Sequence, residues 1–137
     1  MHHLIYLSWA STPFSEQQLQ DLLRQARRHN SEVGITGFLF YGKERFMQVL
    51  EGEEATVQAL YELIKRDARH QNVLCFANKP IEQRAFGEWA MAFQTGTPQQ
   101  VEQLAGYLGP TSVALDLANL PMADIHLIDL LRSFTLS

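Results

Sequence analysis

Apolar and polar positions change their period several times along the chain, and each change predicts a different element. Residues 4–8 form a short apolar run that is followed by a Ser-Thr-Pro cluster, which indicates a buried strand. Ser15 with Gln18 three residues later is the pattern of a capping box at a helix start. Leucine and alanine recur after it at intervals of three and four between residues 19 and 26, which predicts a helix with one apolar face.

The middle of the chain predicts a hairpin and then a second helix. Two β-rich runs are joined by Gly42-Lys43-Glu44, a connection of hairpin length that contains glycine. Apolar residues at helical spacing between residues 57 and 64 then predict the second helix. The strands predicted after the first helix cover residues 35–41, 45–51, 73–77 and 89–93.

The predicted order βαββαββ is typical of an α+β fold with a ferredoxin-like sheet and two helices on one face. Because the strands are apolar on both sides, the second face of the sheet also needs a cover. Apolar spacing predicts a weak helix over about residues 98–107 and a stronger one over 127–134. We therefore expect one domain over residues 1–96 and a C-terminal helical extension over residues 97–137 that packs on the sheet.

Three polar side chains stand in rows that are otherwise apolar. Tyr6 lies in the first strand, Asn30 extends the apolar stripe of the first helix, and Gln48 lies between apolar residues on one face of its strand. Buried amides and phenols need hydrogen-bond partners, and these can come from the backbone or from a ligand. The pattern leaves both interpretations open and does not identify a ligand.

Six short stretches are each common alone but together have a specific order and spacing over about residues 3–94. They are Leu4-Ile5-Tyr6-Leu7-Ser8, His29-Asn30, Gly34-Ile35-Thr36-Gly37-Phe38-Leu39-Phe40-Tyr41, Phe46-Met47-Gln48-Val49-Leu50-Glu51-Gly52, Arg66-Asp67-Ala68-Arg69-His70, and Arg84-Ala85-Phe86 with Trp89-Ala90-Met91. Taken together they resemble the BLUF family of blue-light sensors that use flavin adenine dinucleotide (FAD). The resemblance implies a noncovalently bound flavin between the two helices, and a sensor domain over residues 1–96.

The resemblance also implies a role for each polar residue. Tyr6 matches the family's electron and proton donor to the excited flavin. Gln48 matches the glutamine that bridges this tyrosine to the flavin, and Asn30 matches the asparagine that bonds the flavin's polar edge. A glutamine amide has a donor end and an acceptor end, so its rearrangement changes the hydrogen bonds to the flavin. A new donor to a flavin carbonyl would shift the absorption to the red.

Further matches concern the cofactor's surroundings and the output. Arg69, with Asp67 and His70, matches a charged run that contacts the ring edge or supports the cofactor's polar parts. Trp89 and Met91, together with Ser8, are the expected signal relay. Since Leu63 stands where some members have a basic residue, the phosphate contacts would fall to three other cations. These are Lys65, Arg66 and Arg28.

Composition and charge exclude several other classes of protein. Among 137 residues 46% are apolar, the net charge is −4, and no run of about 18 apolar residues occurs. We expect no direct binding of nucleic acid, which needs a basic excess, and no membrane span. The start of the chain lacks a secretion-signal pattern, so a cytoplasmic location is expected.

The single cysteine and the histidines carry no clear sign of a metal site. Cys75 cannot form a disulfide within the chain, and we expect it to be a small core residue. His2 and His3 are adjacent at the chain start and are expected to be solvated, and we predict no metal site.

Two alternative functions fit the same predicted fold. One is a regulatory domain that binds a flavin or nucleotide without responding to light, and the other is a small hydrolase similar to acylphosphatases. The hydrolase would need a phosphate-binding loop, which is not evident. Residues 97–137 are too few for a catalytic or DNA-binding output module. We therefore expect no turnover chemistry, a homo-oligomer (a dimer or ring) and an unidentified protein partner for the output.

Overall fold

A computed structural model of the chain describes residues 1–42, 44–87 and 90–96. These residues form an α+β fold with five strands and two helices, as the sequence predicts. The elements are β1 (His2–Ala10), α1 (Glu16–Val33), β2 (Thr36–Gly42), β3 (Arg45–Gly52), α2 (Glu54–Arg66), β4 (His70–Pro80) and β5 (Ala92–Thr95).

The five strands form one sheet in the order β4-β1-β3-β2-β5. All neighbouring strands are antiparallel except β2 and β5, which are parallel. Tyr6 of β1 lies opposite Gln48 of β3, and Gln48 in turn lies opposite Leu39 of β2. Because side chains alternate along a strand, these three residues form a row on one face of the sheet.

Both helices pack on that same face. Leu19 and Leu23 of α1 and Val57 and Tyr61 of α2 are buried in one core with the sheet residues around Tyr6. The capping box at Ser15 is present as predicted, with reciprocal side-chain and backbone hydrogen bonds to Gln18. The apolar stripes therefore place the two helices side by side over the row that contains Tyr6 and Gln48.

The second face of the sheet carries its own apolar core. Its members, all buried, are Ile5, Phe38, Phe40, Met47, Val49, Phe76, Phe86 and Ala92. Gly37 is required beneath this core because a Cβ there would lie 1.8 Å from the Val49 carbonyl oxygen. The C-terminal helices that the sequence predicts over this face lie outside the described residues.

The predicted last strand is corrected by the structure. The sequence places it over residues 89–93, but β5 begins at Ala92, so Met91 precedes the strand. The carbonyls of Ala90 and Met91 accept hydrogen bonds from side chains of α1 instead of extending the pairing with β2. Pairing with Phe38 starts one residue later, at Ala92.

Two expectations about single residues are wrong. His2 and His3 are only 6% and 4% exposed, because they belong to β1, which has a neighbouring strand on each side. Cys75 is exposed and not a core residue, because it lies on β4 at the edge of the sheet. In both cases the position of the strand in the sheet decides the burial, and local sequence does not encode that position.

Candidate functional site

A cavity of about 190 Å³ lies between the two helices and above the row of Tyr6 and Gln48. Side chains from α1, α2, the sheet and the turn after α2 surround it. They are Tyr6, Leu22, Gln25, Ala26, His29, Asn30, Leu39, Gln48, Leu60, Leu63, Ile64, Asp67, Arg69 and His70. Six of these fourteen side chains are aliphatic and the other eight carry polar or charged groups.

Tyr6 and Gln48 are hydrogen-bonded to each other at the floor of this cavity. The Tyr6 hydroxyl donates to Oε1 of Gln48, and both side chains are buried. The amide nitrogen of Gln48 donates to the Met91 sulfur over 3.6 Å. Burial raises the pKa of the Tyr6 phenol, and the nearby Tyr61 and Asp67 raise it further. Tyr6 therefore remains a neutral donor at any physiological pH, and both ends of the Gln48 amide are engaged.

Asn30 reaches the cavity from the last turn of α1. Its side chain is buried, lines the cavity and donates from Nδ2 to the Ala90 carbonyl over 2.9 Å. The backbone thus provides the partner for one end of this buried amide. The amide oxygen of this cavity-lining side chain can accept a hydrogen bond.

Asp67, Arg69 and His70 form one rim of the cavity. The Arg69 guanidinium donates to both carboxylate oxygens of Asp67, with Nη2 2.6 Å from Oδ2. This hydrogen bonding lowers the pKa of Asp67, so that the pair stays charged. His70 Nδ1 shares a hydrogen bond of 2.8 Å with the Ser8 hydroxyl, and burial lowers the pKa of the imidazole. The rim therefore carries a fixed ion pair beside a neutral histidine.

The three cations considered for phosphate contacts do not line the cavity. The Lys65 ammonium lies 2.8 Å from a carboxylate oxygen of Glu62 and 4.9 Å from the centre of the Tyr61 ring. Arg28 and Arg66 are exposed on their helices. Phosphate contacts through these residues stay a prediction, as does the relay role of Trp89, which lies outside the described residues.

Four residues near the site were missed by the sequence reasoning. Gln25 and His29 line the cavity from α1. They are five residues and one residue before Asn30, so the spacing of three or four that marks one helix face does not connect them to it. Tyr61 packs on Tyr6 with ring centres 5.8 Å apart. Arg27 donates from Nε to the Met91 carbonyl over 2.9 Å, a contact between residues far apart in the sequence that no local pattern reveals.

The residues present fit a flat heteroaromatic ligand better than a metal. Aliphatic side chains from two helices suit the faces of a ring system, and the amides of Asn30 and Gln48 suit its polar edge. Within residues 1–42, 44–87 and 90–96, no group of His, Cys, Asp and Glu side chains could hold a metal ion. Over the same residues, no helix is long and apolar enough to cross a membrane.

Comparison with known families shows which family the chain belongs to. The chain matches the family described as sensors of blue light using FAD, abbreviated BLUF, over residues 1–92. The chain belongs to the BLUF family. It is therefore a flavin-binding, blue-light sensory module, and the resemblance inferred from the sequence is confirmed.

Proteins similar to this BLUF protein include subunits of photoactivated adenylate cyclases. It is 36% identical over 93 residues to the photoactivated adenylate cyclase subunit beta of Euglena longa, a match that covers 66% of this chain and 11% of that protein. The chain thus spans about a tenth of the length of that curated relative. Two solved structures, of the BLUF protein BlrB and of BlsA, align over nearly the whole chain. The dark state of BlrB has a TM-score of 0.71 at 30% identity, covering 94% of this chain and 92% of that one. The photo-activated state of BlsA has a TM-score of 0.76 at 27% identity, covering 99% and 95%.

Proposed function

We propose that this BLUF protein detects blue light with noncovalently bound FAD, and that Tyr6 and Gln48 carry out the photochemistry. The hydrogen bond from the Tyr6 hydroxyl to Gln48 Oε1 at the cavity floor is the observation that supports this most strongly. It joins the one buried phenol of the cavity lining to an amide that can donate and accept.

The bound flavin supplies the light absorption and, once excited, the capacity to take up one electron. Tyr6 provides that electron. Because burial raises the pKa of its phenol, Tyr6 holds its proton in the dark and releases it along the hydrogen bond to Gln48 as the electron leaves. On return of the electron, the same proton would pass back to Tyr6 along this hydrogen bond, so that no net oxidation would remain and only the hydrogen bonds of the Gln48 amide would have changed.

Gln48 also links the photochemistry to Met91. In the structure the amide nitrogen of Gln48 faces the Met91 sulfur. A thioether sulfur accepts hydrogen bonds and cannot donate them. A rearrangement that turns the amide oxygen toward Met91 therefore removes this contact, and Met91 is the first residue outside the cavity floor to register the change.

The output of this signal is proposed to be a contact with another protein, in a homo-oligomer, without turnover by this chain. The curated relatives are named as subunits of photoactivated adenylate cyclases, and this chain matches only a small part of their length. A sensor of this kind needs an effector, and here we propose that the effector is a separate protein.

The proposal is tested by the visible spectrum of the purified full chain, recorded in the dark, after blue light and after return to the dark. We expect a flavin band that shifts reversibly to the red. Mass spectrometry of the released cofactor should identify FAD rather than a shorter flavin. Flavin bound without any spectral shift would favour the light-independent regulatory domain, and a colourless protein filled with another ligand would refute the proposal.

A further inference from the structure

The short segment around Met91 is held to the site by side chains of α1. Nδ2 of Asn30 donates to the Ala90 carbonyl and Nε of Arg27 donates to the Met91 carbonyl, each over 2.9 Å. Arg27 and Asn30 are three residues apart and so lie on the same side of the helix. Two successive carbonyls are thereby fixed from one helix face.

This attachment matters because β5 has little backbone pairing of its own. Among the described residues, β5 is an edge strand of four residues that pairs only with β2, in parallel. Such a short edge pairing gives weak protection against local opening. The two bonds from α1 act just before its first paired residue, Ala92, where they can add most to its stability.

We propose that Arg27 is a positioning residue that fixes the main chain at Met91 and thereby holds the Met91 sulfur against Gln48. Arg27 does not line the cavity, and among the described residues it reaches the photochemical site through the Met91 carbonyl. Asn30 alone fixes the preceding carbonyl, and the backbone between the two carbonyls can still turn. With both bonds in place, Met91 is 1% exposed and its sulfur remains within reach of the Gln48 amide.

The proposal rests on the proposed function, because it explains what holds the Met91 sulfur within hydrogen-bonding distance of the Gln48 amide. Light removes the contact between Gln48 and the Met91 sulfur but leaves the contact between Arg27 and the Met91 carbonyl. Arg27 therefore sets how far the segment moves after the amide rearranges. Loss of the Arg27 hydrogen bond should therefore increase local opening of the segment at Met91 even in the dark and in the absence of flavin.

Peroxide oxidation of the methionines of the full chain, followed by peptide mass spectrometry in the dark, tests this role. Met1 is 55% exposed and serves as the fast reference, while Met47, 2% exposed in the opposite core, serves as the slow one. We expect Arg27→Met, which keeps the aliphatic stem but no donor, to speed Met91 oxidation about fivefold relative to Met47, the opening factor of one lost hydrogen bond. Arg27→Lys, which retains a donor, should recover part of the protection.

Arg24→Met is the matched control. Arg24 lies one turn earlier on α1, is exposed, and its Nη1 lies 3.4 Å from Oδ1 of Asp21. It should leave Met91 as protected as in the wild type. Equal Met91 protection in Arg27→Met and wild type would overturn the proposal, and so would an equal loss in Arg24→Met and Arg27→Met.

The same variants separate this proposal from the proposed function. The oxidation assay is run with and without flavin, and it does not need a photocycle. If the wild type shows no red shift while Met91 oxidises faster in Arg27→Met, the photochemistry is refuted and the positioning role is retained. If the wild type has a normal photocycle while Met91 oxidises equally slowly in Arg27→Met and wild type, the positioning role is refuted and the photochemistry is retained.

Discussion

The Tyr6 hydroxyl donates its hydrogen bond to the side-chain oxygen of Gln48, across the antiparallel pair of β1 and β3. This register places a phenol and an amide side by side at the floor of a cavity that both helices line with aliphatic side chains. The proposed light reaction needs a neutral phenol and an amide that can both donate and accept a hydrogen bond.

Replacing Gln48 with leucine should abolish the red shift while retaining the flavin. Leucine fills much the same volume but can neither accept from Tyr6 nor donate to Met91. The Tyr6 hydroxyl would lose its buried partner, which should lower the free energy of unfolding by about 1–3 kcal/mol. Difference spectra and chemical denaturation measure the two effects. Gln94→Leu, at a partly exposed position of β5, should keep the shift, and a normal shift in Gln48→Leu would rule out its assigned role.

Replacing Asn30 with alanine should destabilise the fold as well as weaken flavin binding. The change removes the donor to the Ala90 carbonyl and an acceptor beside the cavity. We expect the flavin-free chain to lose about 1–3 kcal/mol of unfolding free energy in urea denaturation. Ser31→Ala, at the exposed next position of α1, is the control and should change the stability little. Equal stabilities of the two variants would show that the Asn30 bond contributes nothing.

Glu51 is a fully buried carboxylate on the second face of the sheet, and its loss should be costly. It accepts from the backbone N–H groups of Ala85 at 2.6 Å and Phe86 at 3.0 Å and from the Thr36 hydroxyl at 3.0 Å. Glu51→Ala would leave these donors without their acceptor, so we expect the free energy of unfolding in chemical denaturation to fall by about 2–4 kcal/mol. Glu53→Ala, at an exposed residue without a capping bond, should cost less than about 0.5 kcal/mol. A loss as small as this in Glu51→Ala would show that its three hydrogen bonds do not stabilise the fold.

Stability should fall as the pH drops below the ordinary pKa of histidine. Burial lowers the pKa of His70 in the folded chain, whereas the unfolded chain keeps a value of about 6.5. Between these two values the unfolded state binds more protons, so the contribution of His70 is complete above about pH 6.5 and is lost as the pH falls through its folded pKa. Thermal melts between about pH 5 and pH 8, a range that spans the ordinary pKa of histidine, should show this slope.

Two variants test the cause of that slope. His70→Gln removes the titrating group and should flatten this part of the profile. Ser8→Ala removes the 2.8 Å partner of His70 but leaves the ring buried, so the slope should persist. A profile that flattens in Ser8→Ala would assign the shift to the hydrogen bond and not to burial.

Alternation and helical spacing are sufficient to single out Tyr6, Gln48 and Asn30 as polar groups in apolar rows of their own elements. The pairing of β1 with β3 then places Tyr6 opposite Gln48. Local pattern does not fix the neighbours of a strand, and for this reason it misplaces Cys75 and His2. The bond from Arg27 to the Met91 carbonyl depends on where a segment 64 residues away comes to lie, which no local spacing encodes.

The measurement that tests the account most directly is the blue-light difference spectrum of Tyr6→Phe beside that of Tyr61→Phe. Both changes remove one phenolic oxygen, from rings only 5.8 Å apart, but only Tyr6 lines the cavity and donates to Gln48. We predict that both variants bind flavin, that Tyr61→Phe retains the reversible red shift and that Tyr6→Phe loses it. A normal red shift in Tyr6→Phe would contradict the central claim.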